Sequence, residues 1–143
     1  MKTICLFLLS ATLITIYSCK ASHQKTGNVQ VPVQNLTIDQ SLVKVFDTSH
    51  KIDTTYIVKD VITISLTFYN TCQSDTFELL TNGKFTKSNP PMTAVYLKRK
   101  STNSKCVETI HKELKFDLSK LRYPLANSII LNLDEQVKVL YSY

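Results

Sequence analysis

Alternation between apolar and polar residues is the main signal along this chain, and it is strongest over residues 61–69. In that run every second residue is large and apolar: Ile62, Ile64, Leu66 and Phe68. The intervening positions are Val, Thr, Ser, Thr and Tyr, so the other face of an extended strand is mostly polar. The period of two and the β-branched residues predict a half-buried strand with its Ile/Leu/Phe face toward the core.

Similar short runs recur through the rest of the chain and predict further strands. They cover residues 29–34, 41–46, 54–58, 76–80, 93–97, 107–110, 113–118, 128–133 and 137–143. Pro32 limits the first of these runs to a sheet edge or to the start of a strand. The dipeptide Asn82-Gly83 predicts a tight hairpin turn, and Asp134-Glu135 predicts a second turn.

Short strands at regular spacing predict an all-β, single-domain fold, either an antiparallel β-sandwich or a small closed barrel. The only helical candidate is one turn at residues 119–121, before Pro124. The length of 143 residues supports one domain. A hydrophobic content of 43% and a charged content of 20% are those of a globular protein and not of a disordered one.

The N-terminal residues predict an export signal. Lys2 precedes an apolar run over residues 4–17, which is shorter than the roughly 20 residues of a membrane-spanning helix. The segment at 16–19 (Ile-Tyr-Ser-Cys) resembles a bacterial lipobox, and this resemblance implies cleavage before Cys19 and acylation of its thiol. The predicted organisation is a signal peptide at 1–18, a polar tether at 19–28 and a β domain at 29–143. Cleavage after Ala21, which would give a secreted protein, is the alternative.

Cysteine usage fits an exported chain. Cys5 leaves with the signal peptide, and lipid on Cys19 would leave Cys72 and Cys106 as one pair. Because exported proteins fold in oxidising compartments, this pair predicts a disulfide between Cys72 and Cys106. The two cysteines are 34 positions apart in the sequence. In the chain-entropy account, a disulfide that closes a loop of this length stabilises the fold by about 3–4 kcal/mol.

Composition and charge exclude several functions. The chain holds 2 glycines, which cannot build the glycine-rich loop of a phosphate-binding or dinucleotide-binding fold. Its formal net charge is +6, but only 2 of the basic residues are arginines, so no nucleic-acid partner is predicted. Lys98, Arg99 and Lys100 are interpreted as a charged loop that ends a strand and protects a sheet edge.

Candidate catalytic and metal-binding residues are few. His50 lies among turn-forming residues at 47–51, which predicts a solvated loop, and His111 is interpreted as a partly exposed strand residue. No paired short ligand spacing predicts a metal site, and the sequence holds no nucleophile motif. We therefore expect a protein that is not an enzyme and that uses neither a cofactor nor a metal.

The most distinctive segment joins two predicted strands and consists of Lys87, Ser88, Asn89, Pro90, Pro91, Met92 and Thr93. Adjacent prolines fix φ twice, which predicts a stiff, extended, polyproline-like shape. Met92 adds an adaptable apolar tip. Because preorganisation lowers the ordering cost of binding, these residues are the predicted contact with a protein partner. A rigid strand connection without a binding role is the other interpretation.

The layout of a loose lipobox, a polar tether, one β domain and one cysteine pair resembles the small exported lipoproteins of Bacteroidota-type bacteria. Within that class it resembles the potempins, which are lipoprotein inhibitors of peptidases. The resemblance implies a protein anchored by lipid to the outer membrane, on its periplasmic or cell-surface face, that inhibits secreted peptidases. The alternative is a structural or accessory subunit of an envelope assembly for surface glycan uptake or adhesion.

Overall fold

The computed structural model describes residues 30–44, 47–70, 75–100 and 108–143. Within these ranges the chain forms nine strands and one 3-10 turn at Ser119–Leu121. The strands are β1 (Val33–Asn35), β2 (Thr37–Ile38), β3 (His50–Val58), β4 (Val61–Asn70), β5 (Thr76–Phe85), β6 (Met92–Lys100), β7 (Glu108–Asp117), β8 (Ser128–Leu133) and β9 (Val137–Ser142). The predicted signal peptide and tether, and Cys19, Cys72 and Cys106, lie outside the described residues.

The strands form two sheets that pack face to face as a β-sandwich. The four-stranded sheet has the order β1-β7-β4-β3, and the five-stranded sheet has the order β2-β5-β6-β8-β9. The all-β prediction is therefore confirmed. Of its two forms the structure adopts the sandwich, because neither sheet closes into a barrel.

Both sheets are mixed, which corrects the prediction of a purely antiparallel sandwich. β1 pairs with β7, β2 with β5 and β6 with β8 in parallel. The path of the chain is the reason: β7 lies in the other sheet, so the connection from β6 to β8 crosses over and returns in the same direction. Alternation along a strand predicts which of its faces is buried, but it does not predict which strand pairs with it or in which direction.

The first two strands divide between the sheets. β1 lies at the edge of the four-stranded sheet and β2 at the edge of the five-stranded sheet. Leu36, between them, is 2% exposed and packs into the core. The beginning of the described chain is thus fastened to both layers of the sandwich.

The core lies between the sheets, and the apolar face of β4 is at its centre. All of the residues predicted for that face are buried: Ile62, Ile64, Leu66 and Phe68. They belong to one cluster with the inward faces of the five-stranded sheet, which carry Leu79, Leu97, Ile129 and Leu131. Each such side chain contributes about 1.5–3 kcal/mol on burial, so this layer is the main source of stability.

The dipeptide Asn82-Gly83 does not form the predicted hairpin turn. β5 runs through it, and a register shift between Thr81 and Phe85 marks an irregularity in the pairing with β6. Gly83 has a φ of +70°, so the positive-φ preference of the dipeptide is used in a bulge within a strand. The chain reverses later, at residues 86–91.

Two further strand predictions change. Residues 41–44 form no strand, because Asp39 accepts the N–H of Ser41 on its side chain and the N–H of Leu42 on its carbonyl oxygen, which makes a turn. Residues 45–46 lie outside the described part of the chain. Of the runs predicted at 107–110 and 113–118, residues 108–110 and 113–117 belong to the single strand β7, which pairs with β4 along its length. Residue 107 lies outside the described residues. The structure confirms three other predicted elements: β8, the turn at Asp134-Glu135 that follows it, and the 3-10 turn at Ser119–Leu121.

Candidate functional site

The predicted partner contact is a loop at residues 86–91 together with the start of β6. The loop reverses the chain, so it is not the extended segment predicted from Pro90 and Pro91. The N–H of Thr86 donates to the carbonyl oxygen of Met92 at 2.8 Å, and the N–H of Met92 donates to the Thr86 hydroxyl at 3.0 Å. Pairing of β5 with β6 requires this reversal and overrides the local preference of the two prolines.

Hydrogen bonds inside the loop hold its shape. The hydroxyl of Ser88 donates to the carbonyl oxygen of Pro90 at 2.8 Å, and the hydroxyl oxygens of Thr86 and Ser88 are 2.7 Å apart. The N–H of Ile130 donates to the carbonyl oxygen of Pro91 at 2.8 Å, which fixes the loop to β8. The loop is therefore bonded both internally and to its neighbouring strand.

The predicted contact residues differ in exposure. The exposed ones are Lys87, Ser88 and Asn89, and the half-buried ones are Pro90, Pro91 and Met92. Thr93 is 1% exposed because it faces the core from β6. This corrects the prediction for Thr93, whose side chain is out of reach of a partner.

An apolar row crosses the outer face of the five-stranded sheet next to the loop. The strand register places Met92 beside Ile130, and Ile130 beside Leu140. Met92 and Ile130 are half-buried, and Leu140 is 59% exposed. The row is open on one side because β9, which carries Leu140, is an edge strand. The row and the exposed loop tip at residues 87–89 are called the loop–row surface below.

His50 is buried, which corrects the prediction of a solvated loop. Its side chain is 1% exposed, and its Nε2 atom is 3.2 Å from Oδ2 of Asp134. The ring meets that of Phe77 edge-on, with centroids 5.9 Å apart, and its Nδ1 atom has no hydrogen-bond partner among the described residues. Asp134 also accepts the N–H of Leu97 at 3.0 Å. These contacts join β3 to β6 and to the β8–β9 turn, so the role of His50 in the fold is structural.

The basic run at 98–100 belongs to β6, which corrects its interpretation as a loop. Arg99 turns inward, and its Nη2 atom is 2.6 Å from Oδ2 of Asp75, in a pair whose side chains are 7% and 1% exposed. Arg99 also donates to the carbonyl oxygens of Ser49 at 3.1 Å and of Tyr69 at 2.6 Å. The guanidinium thus holds together the ends of several strands from inside the molecule.

Among the described residues, no three His, Cys, Asp or Glu side chains converge in a way that could hold a metal ion. In the same ranges there is no helix with the length and apolar character needed to cross a membrane. His111 lies in β7 and is exposed. This agrees with its interpretation from the sequence as a strand residue that is at least partly exposed. Its Nδ1 atom is 2.7 Å from the hydroxyl oxygen of Thr67.

Comparisons with known proteins support the architecture and supply no function. No protein-family model matches this chain, and no curated protein sequence matches it. Among solved structures, the chain is similar to the crystal structure of a protein of unknown function, DUF1344, from Bacteroides vulgatus ATCC 8482, with a TM-score of 0.51 and 14% identity. The match covers 79% of this chain and 56% of that one, so this chain spans little more than half of its neighbour's length. A likeness at this identity shows the fold alone.

Proposed function

We propose that this protein is an exported, lipid-anchored module that binds a protein partner through the loop–row surface and has no enzymatic activity. The observation that carries the proposal is the bonded loop, whose exposed tip at residues 87–89 is held by hydrogen bonds of Thr86, Ser88 and Met92. A tip that is already ordered loses little conformational entropy on binding, so more of the contact energy appears as affinity.

The apolar row supplies the second part of the binding surface. Protein interfaces combine an apolar centre with a polar rim, and an exposed large side chain beside such a centre acts as an anchor. Leu140, at 59% exposed, has this position. Lys138, on the same face of β9, and Lys87 at the loop tip are exposed and give the rim a positive charge, which favours a partner with an acidic rim.

The partner class that we propose is a secreted peptidase, which the loop would block by filling its cleft. The support for this class is the resemblance of the chain to the potempins in layout. A hairpin tip fits a cleft as a wedge, and its internal hydrogen bonds oppose opening into an extended, cleavable segment.

Inhibition is tested by titrating the mature protein against a panel of secreted metallo-peptidases and serine peptidases at micromolar concentration. We expect inhibition of at least one, and Leu140→Lys should raise the inhibition constant about tenfold or more because it places a charge in the apolar row. Tyr56→Lys is the matched control, because Tyr56 is 49% exposed on the other sheet, and it should inhibit like the wild type. Absence of inhibition across the panel removes the peptidase from the proposal.

The role of the loop is tested separately with Thr86→Val, which keeps the side-chain shape and removes the hydroxyl that accepts the Met92 N–H. We expect weaker inhibition, because the tip then pays more ordering entropy on binding. A pull-down from envelope extracts with the wild type identifies the partner directly. Recovery of transporter or surface-layer components, without a peptidase, would favour the alternative role as a subunit of an envelope assembly.

A further inference from the structure

A polar cluster lies on the outer face of the four-stranded sheet, away from the loop–row surface. The hydroxyl of Thr67 on β4 donates to Oδ2 of Asp53 on β3 at 2.5 Å, and Nδ1 of His111 on β7 is 2.7 Å from the same hydroxyl oxygen. A register shift in β3 between Ile52 and Thr54 makes Asp53 the extra residue of a bulge. Bulges re-aim side chains, and this one brings the Asp53 carboxylate to Thr67.

These hydrogen bonds determine which atoms remain for a ligand. A hydroxyl has a single proton, and Thr67 gives it to the Asp53 carboxylate, so His111 donates from Nδ1. With Nδ1 as the donor, Nε2 is the ring nitrogen of His111 that can accept a hydrogen bond, and Oδ1 of Asp53 is a second acceptor. Both groups are oriented before a ligand arrives, which is what a specific polar site requires.

Two depressions flank the Asp53–Thr67–His111 chain. One has a volume of about 250 Å³, and its lining includes Asp53, Ser65, His111 and Glu113. The other has a volume of about 220 Å³ and is lined by residues 48–51 and 67–69. Thr67 lines the second depression, and its two hydrogen-bond partners line the first. Together the two depressions form a shallow groove along the hydrogen-bonded chain, which suits an extended ligand better than a single ion.

Tyr69 adds an aromatic surface to this groove. It is 67% exposed and lies two positions beyond Thr67, on the same face of β4. Its carbonyl oxygen accepts a hydrogen bond from Arg99 at 2.6 Å, so the buried Arg99–Asp75 pair fixes the backbone beneath the ring. An exposed ring beside oriented acceptors suits a ligand that has one apolar face and several hydroxyl groups.

Apart from Lys112, the charged groups around the groove balance, which narrows the class of ligand. Asp53 and Glu113 are acidic, whereas Lys51 lies opposite Thr67 and Lys115 pairs with Glu113 at 3.3 Å. Lys112 also lines the first depression, but its Nζ donates to the carbonyl oxygen of Asp75 at 3.0 Å and lies 5.6 Å from the centroid of the Phe77 ring. An anion would meet both carboxylates, and a metal ion would find no three converging ligands in the part of the chain that the structure describes. A neutral, hydroxyl-rich ligand satisfies the acceptors without leaving a charge unpaired.

We propose that this groove binds a neutral carbohydrate, with a sugar ring on Tyr69 and hydroxyl groups that donate to Asp53 and His111. A chain of two or more sugar rings would extend from the depression beside Tyr69 to the one lined by Ser65 and Glu113. The inference is independent of the protein-binding proposal, because the groove and the loop–row surface lie on different sheets.

Affinity electrophoresis of the full mature protein tests this inference, in gels that contain a soluble β-glucan, an α-mannan or a galactomannan. We expect retardation by at least one of these neutral polysaccharides, and Asp53→Asn should weaken it. Any retardation by the polyanion polygalacturonate, which a chain of net charge +6 can bind elsewhere, should not be weakened by that substitution. Asp53→Asn and Tyr69→Ala should each raise the dissociation constant about tenfold or more, because they remove an acceptor charge and the stacking surface.

Two control variants locate the effect. Tyr56→Ala removes another exposed aromatic ring of the same sheet, outside both depressions, and Glu78→Gln removes an acidic group that pairs with Lys100 on the other sheet. Both should be retarded like the wild type, and so should Leu140→Lys even where it loses a protein partner. Asp53 and Tyr69 are exposed, so their variants should unfold at the wild-type temperature, which is measured alongside.

Three results would overturn the carbohydrate site. The first is that no neutral polysaccharide in the panel retards the protein. The second is that polygalacturonate alone retards it. The third is that Asp53→Asn and Tyr69→Ala, both folded, are retarded as strongly as the wild type.

Discussion

The guanidinium of Arg99 is held inside the fold by the Asp75 carboxylate, by two carbonyl oxygens and by the ring of Phe68, whose centroid is 4.6 Å away. Burying two opposite charges is tolerated while both are present, and removing one partner leaves the other desolvated and uncompensated. Arg99 is therefore a residue at which a single change has a large effect on stability.

We predict that Arg99→Met lowers the free energy of unfolding by about 3–5 kcal/mol, because the buried Asp75 charge loses its partner. Its neighbour Lys100 provides the matched control, since Lys100 pairs with Glu78 through side chains that are 56% and 42% exposed. Lys100→Met should cost only about 0–1 kcal/mol. Chemical denaturation measures both, and equal losses in the two variants would contradict the prediction.

Asp60, in the β3–β4 turn, couples stability to pH. It accepts hydrogen bonds from Arg122 and from the Tyr141 hydroxyl. These bonds, that of Arg122 first, hold the pKa of Asp60 below its ordinary value of 3.8. Burial, assisted by the bond to Asp60, raises the pKa of Tyr141 to about 12. The lowered pKa of Asp60 means that its contribution to stability is complete above about pH 4 and is lost as the pH falls through the folded-state value.

We predict that Asp60→Asn is less stable than the wild type at neutral pH and that the difference shrinks in acid. The reason is that protonation of Asp60 removes from the wild type the same ionic contacts that the substitution removes at every pH. Denaturant unfolding of both proteins between neutral pH and about pH 2 measures the difference. A gap that stays constant over this range would show that Asp60 does not carry this linkage.

At the level of elements, strands with a strong pattern of their own could be predicted, and their partners could not. β4 and β8 follow from their alternation, which the interior of the sandwich reinforces. The parallel neighbours of β1, β2 and β8 depend on crossovers between sheets, which leave no local trace. Asn82-Gly83 is a related case. The dipeptide predicts a residue with positive φ, but the neighbouring strands decide whether that residue lies in a turn or in a bulge.

The candidate sites were predicted only in part, for the same reason. The loop at residues 86–91 stands out through its own composition. His50 is buried against Asp134, and Arg99 is buried against Asp75. In both cases the partner is distant in the sequence, so the residues around His50 or Arg99 do not predict the burial. The apolar row likewise exists only through the register of three strands, so neither Ile130 nor Leu140 carries a local signal for it.

The β4–β7 ladder bears on the proposed disulfide. In this ladder Asn70 and Glu108 form the last described pair, and in the sequence Cys72 comes two positions after Asn70 while Cys106 comes two positions before Glu108. Because the two spacings in the sequence are equal, we propose that the two thiols pair. We predict a mature protein that reacts with thiol reagents only after reduction, as mass spectrometry would show. Cys72→Ser with Cys106→Ser should cost about 3–4 kcal/mol of stability, and free thiols in the oxidised protein would contradict the prediction.

At the scale of the whole molecule, the two proposed surfaces lie on the outer faces of different sheets, with the apolar core between them. One surface is apolar with a basic rim, and the other carries the Asp53–Thr67–His111 hydrogen bonds beside an exposed aromatic ring. Binding at one face therefore leaves the other free, and a single copy could hold a protein and a carbohydrate at the same time.

Anchoring by lipid is tested on the intact cell. We predict that the wild type incorporates a palmitate analogue and remains with the membrane fraction, because the resemblance of residues 16–19 to a lipobox implies acylation of Cys19. A lipid anchor with several chains is effectively permanent, since each buried methylene contributes about 0.8 kcal/mol. Cys19→Ser should lose the label and appear in the soluble fraction, and Cys5→Ser is the matched control. Retention of label by Cys19→Ser would contradict the assignment.

A protein tied down at its N-terminus feels mechanical load where the chain first enters the fold. Here that entry is split, because β1 is bonded to β7 in one layer, β2 is bonded to β5 in the other, and Leu36 plugs the interior between them. If the tether is anchored at Cys19, tension on it would reach β1 first, and it would reach β2 only after Leu36 had been extracted from the core. The two layers would thus resist detachment of the N-terminal segment one after the other, with removal of Leu36 from the core as the step between them.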